Sequence, residues 1–312
     1  MDMNKKRKMR AESNNEKKSQ PAGINWFPGH MTRANRKIKE MLPLVDAVAE
    51  LVDARVPVSS RNPQLLELIA DKPRIVLLNK SDMADEKCTV EWIEQYKKQG
   101  IRAIAIDCRS GKGVTNFING TKELLSDKLE YYRSKGMVGK PLRIMVVGIP
   151  NVGKSSFINR LAKGARAKVE DRPGVTRGNQ WFKIDSELEL LDTPGVLWPK
   201  FDDPIVGEHL AFTGAIKDTV VDTEYLAVRL VSHLCMDYPQ RLAERYKISP
   251  NEQPDSYELL CAIGKKRGML MRGGVVDSER AAIMLLDEFR DGLLGRITVE
   301  SVSFAGGENA EF

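Results

Sequence analysis

At 312 residues the chain is long enough for two domains, and 42% hydrophobic with 29% charged residues is the balance of a globular protein. No apolar run is long enough to cross a bilayer and no signal-peptide core is present, so a cytoplasmic protein is expected. The net charge of +6 is uneven: residues 1–200 carry 37 Lys and Arg against 24 Asp and Glu, and residues 201–312 carry 12 against 19, which fits either a polyanionic partner or a solvated basic surface.

Residues 1–22 hold Lys5, Lys6, Arg7, Lys8, Arg10, Lys17 and Lys18 with almost no large apolar side chains, the composition of a disordered basic arm that touches nucleic acid or merely aids solubility. Trp26-Phe27-Pro28-Gly29-His30-Met31 is a turn flanked by aromatics, and a helix from about Thr32 to Met41 follows, with Ala34, Ile38 and Met41 on one face. Val45–Val52, Arg74–Leu78 and Ile101–Ile106 are buried-strand patterns. Helices are expected from Asn62 through Ala70, from Glu91 to Gln99 and from Val114 to about Ser134. This alternation predicts a mostly parallel sheet covered on both faces, the doubly wound α/β class. Cys88, Cys108, Cys235 and Cys261 are widely spaced and form no C-x-x-C pair, as expected of reduced thiols packed as small hydrophobes.

The apolar run Leu142–Val147 leads into Gly148-x-x-x-x-Gly153-Lys154-Ser155, a P-loop pattern, and Phe157, Ile158 and Leu161 then have helical spacing. Strand, glycine turn and helix N-terminus together direct backbone N–H groups and a helix dipole at phosphate oxygens. Residues Asn151, Val152, Gly153, Lys154, Ser155 and Ser156 would wrap the phosphates, with Lys154 at the β- and γ-phosphates and Ser155 on Mg²⁺. A polar loop over 165–180 contains Thr176, expected to close over Mg²⁺ and the γ-phosphate. Two strands near 181–185 and 188–191 end in Asp192-Thr193-Pro194-Gly195; Asp192 would hold Mg²⁺ through water and the Gly195 N–H would sense the γ-phosphate. Beyond about residue 202 the alternation stops. Residues 223–247 and 279–294 have helical patterns, separated by a loop with Lys265-Lys266-Arg267-Gly268 and Arg272. A basic arm at 1–22, an α/β domain at 23–201 and a smaller all-helical domain at 202–312 are therefore expected.

Asn79-Lys80-Ser81-Asp82, at the end of a buried strand, matches N/T-K-x-D. The Asp82 carboxylate can accept from guanine N1–H and the 2-amino group, a pair adenine lacks; Asn79 would bridge base and loop, and the Lys80 stem would cover the ring. Asp107-Cys108-Arg109 is a weaker match to the S-A-K turn that supports the base, with Cys108 at the guanine. In Ras-like GTPases the P-loop comes first and N-K-x-D late; here the order is reversed, so the same sheet is built by a circularly permuted P-loop GTPase domain.

With that order, Trp26–Met31, Asp53-Ala54-Arg55, Ser60-Arg61-Asn62-Pro63, Asp192–Lys200 and Gly214-Ala215-Ile216-Lys217-Asp218, the chain resembles the ribosome biogenesis GTPase A (YlqF/RbgA) family from Ile24 to about Arg296. The arm at 1–22 departs from the family pattern. The resemblance implies a GTPase acting late in assembly of the large ribosomal subunit, with a C-terminal domain that contacts ribosomal RNA. The alternative is a nucleotide-gated RNA-binding adaptor whose hydrolysis is incidental. Potassium-activated GTPases similar to this chain place a K⁺ ligand where Asn151 stands; a loop-stabilising Asn is the other reading. Lys265, Lys266, Arg267 and Arg272, basic within an acidic domain, are the candidate RNA contacts. Ras orients water with a Gln directly after D-x-x-G, where this chain has Val196, so His30 is the candidate catalytic group, against the alternative of a histidine packed beside Trp26 and Phe27.

Overall fold

The computed structural model describes residues 28–137, 139–164, 169–170, 180–250 and 255–302, without the side chains at 28–31, 163–164 and 169–170. The arm at 1–22, Trp26, Phe27, Thr176 and the side chain of His30 lie outside the described residues.

Among the described residues seven strands form one sheet in the order β3-β2-β1-β4-β7-β6-β5. Strands β1 (Ala47–Asp53), β2 (Arg74–Asn79), β3 (Arg102–Ile106), β4 (Leu142–Val147) and β7 (Leu188–Asp192) are parallel neighbours. Strands β6 (Trp181–Lys183) and β5 (Val169–Glu170) pair antiparallel at one edge. The central strands are buried on both sides, which is why their sequences are continuously apolar. Alternate residues still part by face: Ala47, Ala49, Leu51, Ile144 and Val146 join one hydrophobic cluster, Val48, Met145 and Val147 another. The parallel adjacency of β1, β4 and β7 delivers the ends of all three strands to the same edge of the sheet, where the expected permutation brings its motifs together.

The helices are α1 (Pro28–Met41), α2 (Pro63–Ile69), α3 (Glu86–Lys98), α4 (Val114–Leu124), α5 (Ser126–Ser134), α6 (Lys154–Gly164), α7 (Pro204–Phe212), α8 (Thr223–Asp237), α9 (Pro239–Tyr246), α10 (Ser256–Lys266) and α11 (Ser278–Arg290). Several differ from expectation: α3 starts at Glu86, capped by Asp85, rather than at Glu91, and the pattern expected over 223–247 is split at Tyr238 into α8 and α9. α1 starts at Pro28, since a first-turn proline loses no helical hydrogen bond. The helix expected over 114–134 breaks at Leu125, whose N–H is shared between Glu123 O and Thr121 O while its side chain turns into the core. Lys265 and Lys266 end a helix, α10, rather than standing in a loop; Leu259, Leu260 and Ile263 supply its buried stripe.

Helices α7–α11 do not stand apart from the sheet. Leu210, Phe212, Leu230, Leu285 and Phe289 belong to the same cluster as Leu51, Val146 and Leu190. After α11 the chain returns to the α/β half: Ile297 N–H donates to Met83 O at 2.9 Å and Val299 N–H to Arg55 O at 2.8 Å. The buried Glu300 carboxylate accepts from the Val58 N–H at 2.6 Å and from Ser59, and meets His209 Nδ1 at 2.7 Å.

Candidate nucleotide site

The turn after β4 needs glycine twice. Gly148 has φ 150°, and a Cβ there would lie 2.5 Å from Leu51 O. Gly153 has φ 97°, and a Cβ would collide with the Asn79 side-chain amide. α6 starts directly at Lys154, so its free N–H groups face the space in front of the turn. That space is an open cavity of about 760 Å³. Pro150, Asn151, Gly153, Lys154, Ser155 and Ser156 line one side, Asp192–Gly195 another, and Lys80 a third. Val152 is buried beneath it.

Lys154 is 8% exposed, and its ammonium donates to Gly148 O at 2.9 Å and Ile149 O at 2.8 Å. Burial lowers its pKa to about 8, against the opposing pull of the Asp192 carboxylate. Burial raises the Asp192 carboxyl in turn, offset by Lys154, the Thr193 N–H and Lys37. Gly195 approaches so closely that a Cβ would lie 2.9 Å from both Lys154 Nζ and Pro150 Cα. Ser155 and Asp192 thus place a hydroxyl and a carboxylate on the wall of one cavity, the hard oxygen donors that Mg²⁺ takes. A cation there would be held by these two, with chemistry limited to neutralising phosphate charge.

Val196 is 2% exposed, packed with Ile38 and Met41 of α1. Its N–H donates to Gly148 O at 3.3 Å and its carbonyl accepts from the buried Asn62 Nδ2 at 2.9 Å. The position after D-x-x-G is therefore a fixed apolar anchor. Asn62 in Ser60-Arg61-Asn62-Pro63 has the job of holding it. The same α1 brings Lys37 to the cavity wall, a residue the sequence reading passed over. Its signal was position: Lys37 borders Ile38 at the edge of the helix's apolar stripe.

Asn79 is buried with both ends of its amide used. Nδ2 donates to Val152 O at 2.6 Å and Oδ1 accepts from Cys108 Sγ at 3.1 Å. It fastens the phosphate loop to the base-side loop through both ends of its amide. Asp107 caps that loop, accepting from Arg109 N–H at 2.7 Å and Ser110 N–H at 3.2 Å. Asp82 and Cys108 are half-buried and do not line the cavity; burial, then the Asp107 and Asp82 charges, push the Cys108 thiol up to about 12. Lys80, at φ 60°, lies between these residues and the phosphate loop with its ammonium 2.8 Å from Asp53.

Asn151, at φ 61°, donates from Nδ2 to Gly214 O at 2.6 Å. The phosphate loop thus touches the Gly214–Asp218 run of the helical half, and only the Oδ1 lone pairs of Asn151 remain for a cation. Elsewhere in the helical half, Lys265 and Lys266 are exposed at the end of α10, and Arg272 is exposed in a turn closed by the Leu270–Val276 bridge. Arg267 is placed differently from the expectation: it pairs with Glu288, which also holds Arg245, and covers the Tyr246 ring at 5.4 Å.

A family model described as "50S ribosome-binding GTPase" matches residues 143–252. Ribosome biogenesis GTPase A of Priestia megaterium is 53% identical over 285 residues, covering 90% of this chain and 98% of that protein. The Thermotoga maritima protein of the same name is 34% identical, covering 89% of this chain and 94% of its own length. The GNP-bound crystal structure of YlqF from T. maritima matches with a TM-score of 0.60 at 30% identity, covering 86% of this chain and 98% of that one. With the strand order, the reversed motifs and these relatives in agreement, the chain belongs to the ribosome biogenesis GTPase A family of circularly permuted GTPases.

Proposed function

We propose that this GTPase of ribosome biogenesis acts in the cytoplasm on a maturing large ribosomal subunit, contacts its rRNA through the helical half, and hydrolyses GTP when seated there. The observation that carries the reading is the junction of the nucleotide cavity with the helical half: Asn151 of the phosphate loop is bonded to Gly214, so a shift of either must carry the other or break that contact. The matching family, described as a 50S ribosome-binding GTPase, supports the choice of subunit. GTPases of this type are slow alone, and a placed activator adds roughly 10³–10⁵-fold. Purified large-subunit precursors are expected to raise turnover by an amount in that range. Turnover that ignores such particles leaves the adaptor reading in its place.

Mg²⁺ is assigned to Ser155, Asp192 and Thr176, and K⁺ to Asn151. The potassium assignment predicts faster turnover in KCl than in NaCl at equal ionic strength; equal rates return Asn151 to a purely loop-fastening role.

Lys265, Lys266 and Arg272 are the RNA contacts we retain as test positions, because Arg267 is engaged with Glu288. Each phosphate contact contributes roughly 0.7–0.9 to the slope of log affinity against log salt. Replacing the three with Ala is expected to weaken particle binding and to lower that slope by about two. An unchanged slope, measured by particle pelleting across a salt series, assigns them to the solvated surface.

A further inference from the structure

Asp53-Ala54-Arg55 carries no part of the hydrolysis chemistry, yet it is buried and charged. Asp53 is 2% exposed and Arg55 1%. The two form a bidentate pair, Arg55 Nε to Asp53 Oδ1 at 2.9 Å and Nη2 to Oδ2 at 2.9 Å. Buried charges are costly unless each lone pair and proton is used, and here the remaining ones point in two directions. Asp53 Oδ2 also takes the Lys80 ammonium at 2.8 Å. Arg55 Nη1 donates to Phe289 O at 3.0 Å and Arg290 O at 3.4 Å, carbonyls of the last turn of α11, the first of which also accepts from the Gly292 N–H at 3.2 Å; its guanidinium stacks on the Phe289 ring at 5.0 Å.

Sheet register sets the geometry. Asp53 and Asn79 are paired partners at the ends of β1 and β2, and Ala54 N–H donates to Asn79 O at 2.8 Å. Lys80 follows Asn79 at φ 60°, a backbone setting uncommon outside glycine, which turns it toward Asp53. The α11 end is itself held: the Arg290 guanidinium donates to Ala211 O at 2.9 Å and pairs with Asp218 at 2.6 Å.

We propose that Asp53 and Arg55 are positioning residues for guanine binding, fixing Lys80 from the C-terminus of α11, so that nucleotide affinity depends on how the helical half is docked. The proposal rests on the reading of Lys80 as the lysine that covers the base. Coupling of this kind is reciprocal: bound guanine nucleotide must also tighten the α11 end.

The test is a double-mutant cycle in the full chain, read as GDP dissociation constants by fluorescent-nucleotide titration. Asp53→Asn and Arg55→Lys are each expected to weaken GDP by roughly tenfold, the loss of one charge-assisted contact. In a Lys80→Ala background neither should weaken GDP by more than about twofold, because the two positions act only through the lysine. Equal losses with and without Lys80 mean a structural role and overturn the proposal, as do unchanged single variants. Wild-type GDP affinity in Lys80→Ala itself removes the base-covering reading, and the proposal with it. Should the buried variants fail to fold, hydrogen exchange decides. GDP is expected to slow the amides of Asp291, Gly292 and Leu293 in the natural chain and not in Lys80→Ala saturated with GDP; equal slowing in both overturns the relay.

Discussion

Asp82→Asn is expected to turn a guanine enzyme into a xanthine one. A carboxylate accepts from N1–H and the 2-amino group together, and an Asn amide presents one donor face that suits a 2-carbonyl instead. Sites built to hydrogen-bond a group reject analogues that lack it by roughly 10⁴–10⁵, so GTP affinity should fall by about that order while xanthosine triphosphate rises. The surroundings favour a clean exchange. Asp82 is half-buried, and among the described residues its carboxylate makes no hydrogen bond or ion pair, so the substitution leaves no partner stranded. Competition between the two triphosphates for a labelled nucleotide is the measurement. Retained GTP preference in a folded variant would remove the base-reading role of Asp82.

His30→Ala is the second. The Val196 side chain offers no hydrogen-bonding group and packs in the α1 cluster with Ile38 and Met41, so the water-activating group is expected from another element. α1 runs along this switch, carries Lys37 into the cavity wall, and begins two turns earlier with Pro28-Gly29-His30. A neutral imidazole there can orient or deprotonate water. Particle-stimulated turnover is expected to fall by roughly 10²–10⁴-fold with GTP affinity unchanged. Near-normal stimulated turnover means the group comes from the particle or from elsewhere in this chain; lost affinity means His30 serves structure.

Much of the α/β half was legible because its signals are local. Continuous Val/Ile/Leu runs mark buried parallel strands, and motif order alone implied the permutation, which the β1-β4-β7 adjacency bears out. The phosphate wall was legible for the same reason: strand, glycine turn and helix are consecutive. Partnerships across the sequence were not. Asp53–Lys80 is an ion pair between two strand ends, and Arg55 to Phe289 spans 234 residues, so neither leaves a periodic trace. Arg267 looked like its neighbours Lys265 and Lys266 because charge runs do not disclose which member faces a buried glutamate. α10 was hidden by its basic end, although Leu259, Leu260 and Ile263 carried its stripe.

The return of residues 297–300 to the loop after β1 bears on the order in which the molecule can be finished. That loop leaves the synthesising ribosome among the first sixty residues, whereas the carboxylate that accepts from Val58 and Ser59 is 242 and 241 residues downstream. Until Glu300 arrives, those N–H groups have water for partners, and His209 waits for the same oxygen. The early strands can pair as they emerge, but the buried polar knot closes last, joining nearly the two extremes of the described chain. Trimming the last thirteen residues, Glu300 included, is therefore not a peripheral deletion: it opens the loop after β1.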